Sequence, residues 1–268
     1  MEDGIVSIIE DRLNKTGLIS TKRIVKTIKW IGIICFVATT ATQVAALIIS
    51  KDDPEKFFEC CSILSFCGMG ILKLCSLCRD NDSWHLLIEQ VSVIEKEQLH
   101  TEDNLVDYDS DGDNKEKENA FMRNIRTYTS SHHFTAKVLS RFYYFTLVIF
   151  IVSPFTEYVI RVSQGYEYKG YPHILPCWSP LDDVSFSGYL LSIFAEIIAS
   201  IYCVLVHIAF DLSATGLMIF SSGQFVLLRE YSETIAGRGL YLFLSKKRDD
   251  RAHYRIKTSY KYHVELVW

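Results

Sequence analysis

Residues 187–228 form a run of forty-two residues whose only formal charges are Glu196 and Asp211. As a continuous helix at about 1.5 Å per residue the run would extend ~63 Å, about twice the ~30 Å hydrocarbon core of a bilayer. It is too apolar for a helix standing in water and too long for one membrane span. Three shorter blocks repeat the composition. Residues 31–49 carry no charge, 57–77 carry Glu59 and Lys73 toward their ends, and 138–160 carry Arg141 and Glu157. Lipid cannot satisfy backbone N–H and C=O groups, so blocks of this length cross a membrane as helices. The expected fold is therefore all-α: a polytopic membrane helical bundle forming one membrane domain, with spans at 31–49, 57–77, 138–160 and 187–210. For the excess of the long run, a single helix is expected to leave the membrane near Asp211 and continue to about residue 235. No proline or strong turn signal marks a reversal there.

Charge is concentrated between the blocks, and its distribution orients the chain. The first 29 residues hold six basic groups, the link 50–56 two, the connection 79–137 seven, the loop before the fourth span two, and the segment from Arg229 onward nine. Basic residues mark the cytoplasmic side of short loops, so the amino terminus, the long connection and the carboxy-terminal segment are expected inside. Both N-x-[ST] sequons, at Asn14 and Asn81, then lie on the cytoplasmic side, where no glycan is added. The block 31–49 is read as a retained span rather than a signal peptide, because 29 residues precede it and its apolar core exceeds the usual length.

Several chemistries are not indicated. The net charge of −4 comes without a basic, aromatic-interleaved patch, so no nucleic-acid partner is expected. The eight cysteines lie mostly in or beside apolar blocks and imply no disulfide framework. Cys75 and Cys78 make a lone C-x-x-C without the second ligand pair that a metal needs. Hydrolase, zinc-peptidase and phosphate-loop motifs are missing, so neither an enzyme nor a cofactor is expected. In the connection, Asp107, Asp109, Asp111, Gly112 and Glu118 match the calcium-loop pattern D-x-D-x-D-G-x5-E. Asn114 and Lys115 fill its back half and no second copy exists, so the acidic stretch 95–118 reads as a solvated, partly disordered loop.

Polar groups inside the blocks are the sharper signals. Gly32, Thr39, Thr40 and Gln43 share one face of the first span, suiting close packing on another helix. Glu59 and Lys73 are expected to snorkel toward water, and Pro154 to kink or unwind the third span near its end. Glu196 lies ~14 Å along the fourth span, close to the bilayer middle, so it is expected to face the bundle or a hydrated cavity. His207 and Asp211, four residues apart, are placed to hydrogen-bond across one turn.

Taken in order, these features resemble the insect odorant receptors. The resemblance rests on the inside amino terminus, the outer-loop stretch Leu175-Pro-Cys-Trp-Ser-Pro-Leu-Asp before the fourth span, and the continuation Gln224-Phe-Val-Leu-Leu. It implies a seven-span subunit of which this chain holds four, and hence a fragment or truncated product. It further implies a ligand-gated cation channel in the plasma membrane of an olfactory neuron dendrite. Its partners would be a volatile odorant, the olfactory co-receptor in a heteromer, and membrane lipid. Under this orientation the outer halves of the spans present Phe57, Phe58, Cys61 and Ser65, then Phe150, Phe155 and Tyr158, then Tyr189, Ile193 and Phe194. Apolar and aromatic groups with a few hydroxyls suit a small volatile. A gustatory receptor of the same topology is the nearest alternative, and a non-conducting truncated membrane protein the other. A G-protein-coupled receptor needs the opposite orientation, and a tetraspanin needs its large loop outside.

Overall fold

The computed structural model describes residues 5–16, 23–106, 114–165, 172–178 and 185–234, with a few positions between 253 and 264. Among them regular structure is entirely helical: α1 (Ile5–Lys15), α2 (Arg23–Ile49), α3 (Pro54–Arg79), α4 (Asn81–Val106), α5 (Asn114–Ser163) and α6 (Phe186–Thr234), with a 3-10 turn at Ser50–Asp52. Four helices are long and apolar enough to cross a membrane, with candidate spans Val25–Asp52, Pro54–Arg79, Ile125–Ser163 and Phe186–Arg229. The chain is thus a polytopic helical membrane protein.

The helix ends follow from local chemistry. Asp53 caps α3 by accepting from the Lys56 N–H, with Pro54 in the first turn, where its missing N–H costs nothing. Ser185 caps α6: its Oγ accepts from the Gly188 N–H at 3.1 Å. Gly165, at φ +78°, closes the end of α5 in the left-handed region that glycine adopts without strain. Pro154 neither ends nor unwinds α5, which continues to Ser163.

One expectation about the connections is corrected. The acidic stretch expected as loop is largely helical, because α4 reaches Val106 and α5 begins at Asn114. The reason is that α4 is anchored upstream by buried Ile88 and Val91 and continues through residues rich in Glu, Lys, Gln and Leu, which are good helix formers. Most of the calcium-type pattern, 107–113, lies outside the described residues. Over the long run the structure agrees with the single helix expected there: α6 is unbroken through Asp211.

The chain divides into two compact units. One comprises Val6–Ser92 and Ala136–Ser213; the other comprises Met1–Ile5, Val93–Thr135 and Ala214–Trp268. In the first, α6 is enclosed on most sides: Tyr189, Ile193, Glu196, Ala199, Tyr202, Cys203, Val206, His207, Ile208 and Leu212 are all buried. The shared face of α2 is turned inward, and its Gly32 packs on α6. Thr39, Thr40 and Gln43 are buried, and a Cβ added to Gly32 would lie 2.5 Å from the Tyr202 ring. Facing outward, Ile34, Val37, Val44 and Ile48 of α2 and Phe142, Phe145 and Val148 of α5 are exposed, as lipid-facing groups are. In the other unit Tyr128 meets Phe220 edge to face, with ring centroids 6.1 Å apart, over the close approach at Gly223.

Candidate functional site

The segment 172–178, which precedes α6, is irregular backbone, and its centre is buried. Pro172, Ile174 and Leu175 are enclosed, whereas Trp178 is exposed. Irregular backbone in an apolar setting must find partners for its polar groups. Pro172 and Pro176 bracket the buried turn and remove two donors. The remaining demand falls on one side chain. Glu196 Oε2 accepts from the Ile174 N–H at 2.9 Å and the Leu175 N–H at 3.3 Å, and Oε1 pairs with His173 Nδ1 at 2.7 Å. The carboxylate is 3 % exposed; three convergent donors are what make it tolerable there. The loop is pinned elsewhere by Tyr189 Oη donating to the Pro172 carbonyl at 2.9 Å and by Trp178 N–H reaching the Thr42 carbonyl at 3.4 Å. Burial pushes the Cys177 thiol, beside the Thr39 carbonyl, up to about 12.

Glu196 therefore faces inward, as its position in the sequence required, but its partner is the loop rather than another span or a hydrated cavity. Below the carboxylate the loop's apolar side chains fill the space between helices. Ile174 and Leu175 form a cluster with Tyr189 and Ile193, packed against Ile63, Ile151, Phe155 and Ile197. Of the ten residues expected to meet a ligand, the structure brings Phe155, Tyr189 and Ile193 together there. Phe58, Ser65, Phe150 and Phe194 are exposed, and Phe57, Cys61 and Tyr158 are half-buried. Phe57 and Phe58 pack on each other edge to face at 5.9 Å, and the Ser65 hydroxyl is turned back onto the Cys61 carbonyl. Ile174 and Leu175 were missed. Two aliphatic residues flanked by prolines in a nominally aqueous loop were the available signal.

A second polar cluster lies farther along α6. Lys73 Nζ donates to Asp211 Oδ1 at 2.7 Å and lies 3.0 Å from His207 Nδ1, while Tyr143 Oη donates to Asp211 Oδ2 at 2.6 Å. An ammonium facing Nδ1 leaves the imidazole proton on Nε2, which lies 3.3 Å from the Phe66 carbonyl. The His207 ring stacks on Phe66 at 4.3 Å and lies parallel to Tyr143 at 5.8 Å. Gly70 permits this approach, since a Cβ there would come within 3.0 Å of Cys203 Sγ and Phe36 and 3.2 Å of His207 Nε2.

This cluster corrects two expectations. Lys73 does not snorkel: its side chain is only 15 % exposed, because a carboxylate on α6 lies nearer than water. His207 and Asp211 are joined through the Lys73 ammonium rather than directly across their turn, since each offers an acceptor to the same cation. A lysine inside an apolar block was a visible sign of a buried partner, but nothing in the sequence distinguished Asp211 from solvent as that partner.

Against known proteins, no curated protein matches the chain. The family described as 7tm odorant receptor matches residues 53–267. That match takes in the outer-loop stretch, both polar clusters on α6 and every described helix from α3 onward. By its sequence over four-fifths of its length, and with an all-helical membrane architecture to match, the chain belongs to the 7tm odorant receptor family.

Proposed function

We propose that this chain binds volatile, mainly apolar small molecules among the outer halves of its helices. It does so as a subunit that gates a cation channel in a heteromer with the olfactory co-receptor. Family membership supports a receptor role in olfaction. The observation that carries the finer reading is the apolar cluster of Phe155, Tyr189 and Ile193, built around a loop rather than around helices alone. Such a site has the chemistry a volatile needs: aliphatic and aromatic walls supply burial, and a tyrosine hydroxyl orients one polar group. In this reading the amino terminus is cytoplasmic, the loop 172–178 faces outside, and the part of α6 beyond Asp211 enters the cytoplasm. The receptor resides in the plasma membrane of olfactory neuron dendrites.

The test is electrophysiological. The transcript carrying this sequence is co-expressed with the co-receptor and currents are recorded against an odorant panel. Ile193→Ala and Phe155→Ala are expected to shift the half-maximal concentration of an active odorant by about ten- to a hundredfold, for the loss of ~1.5 to 3 kcal/mol of apolar contact. Currents that never depend on the chain, or variants that respond as the parent does, would overturn the reading.

A further inference from the structure

The loop does more than cover the apolar cluster; it supplies two of its four buried members, Ile174 and Leu175, at 3 % and 7 % exposure. If a volatile binds among Phe155, Tyr189 and Ile193, those two side chains already occupy part of the space. Their attachment is polar and concentrated. Ile174 and Leu175 themselves belong to no helix, and their N–H groups end on one carboxylate. His173, at 18 % side-chain exposure, completes that carboxylate's shell from the solvent side.

We propose that segment 172–178 is a retractable plug: Glu196 latches it through His173 and the Ile174 and Leu175 N–H groups, and its withdrawal admits the ligand. The inference rests on the reading of the outer cluster as the ligand site, and names how access to that site is controlled. The latch is suited to the task because one carboxylate gathers three of the segment's hydrogen bonds. Losing the charge on Glu196 weakens three hydrogen bonds at once, whereas the ties to Tyr189, Thr42 and Thr39 involve neutral partners. Two prolines flank the turn, so the segment moves as a short stiff unit.

Cys177 reports on the loop directly. Half-buried, and with its thiol held almost wholly protonated at neutral pH, it alkylates slowly while the plug is seated. The experiment uses the full chain in open membranes treated with N-ethylmaleimide, following the Cys177 peptide by mass spectrometry. In parallel, 3-azioctanol serves as a volatile-sized photoprobe for the peptides carrying Phe155 and Ile193, with lipid-facing Phe145 as internal reference. Glu196→Gln and His173→Ala are each expected to accelerate Cys177 alkylation by about tenfold or more and to raise photolabelling of Phe155 and Ile193 several-fold. Cys203, 2 % exposed, should remain unreactive. Should Cys203 react in Glu196→Gln, that variant has loosened globally and His173→Ala decides.

Unchanged Cys177 reactivity in His173→Ala and in a folded Glu196→Gln overturns the latch and leaves the ligand-site reading standing. Faster Cys177 alkylation without added photolabelling overturns the plug, because the loop then moves without opening a site, and it counts against the ligand-site reading as well.

Discussion

Two carboxylates on the same helix, Glu196 and Asp211, lie fifteen residues apart, about 22 Å along α6, and their charges are met in opposite ways. Glu196 is held by a loop: two backbone N–H groups and an imidazole from one short segment. Asp211 is held by helices: an ammonium from α3 and a phenol from α5, with His207 of α6 sharing the same ammonium. A carboxylate satisfied by helices ties together elements that cannot move without breaking packing. One satisfied by a loop ties down a segment that belongs to no helix. On the proposed plug reading the Asp211 cluster serves integrity and the Glu196 cluster release, and substitutions at the two should separate into different readouts.

The largest effect on stability is expected at the Asp211 cluster. Lys73→Met removes the only charge opposite Asp211 among the described contacts and should cost about 3 kcal/mol. In detergent this would be read as a marked fall in thermal midpoint, and in cells as lost surface protein. Adding Asp211→Leu should recover most of that loss, since the uncompensated charge rather than the missing bond carries the cost. A Lys73→Met protein as stable as the parent would erase the distinction between the two clusters.

A smaller loss is expected where backbone approach rather than charge is at stake. Gly70→Ala places a methyl against Cys203 Sγ, Phe36 and His207; none of the three can retreat freely, so overpacking of about 1 to 3 kcal/mol should appear in the same melting assay. The least global effect belongs to Glu196→Gln, at about 1 kcal/mol, because an amide oxygen still accepts from Ile174 or Leu175. An equal fall in midpoint for Glu196→Gln and Lys73→Met would mean that both clusters serve integrity alone.

Much of the architecture was legible because lipid is an unforgiving solvent. Four blocks of span length, the continuity of residues 187–228 and the inward-facing polar stripe of Gly32, Thr39, Thr40 and Gln43 all follow from composition and helical period. The connection after α3 was misread for the complementary reason. Its charge density suggested loop, while the buried spacing of Ile88 and Val91 and its helix-forming residues outweighed that signal.

The amino-acid sequence by itself determined which segments are helices and which polar groups would be out of place among apolar neighbours. Glu196, Lys73 and Asp211 each stand out against their blocks. Only the tertiary structure decided who answers them. Lys73 meets Asp211 across 138 positions of chain, and Glu196 meets Ile174 across 22. The physical reason is that a buried charge imposes a demand locally, through the cost of desolvation, whereas its partner is chosen by helix packing. That packing depends on the Gly32 and Gly70 contacts, and no single block contains it.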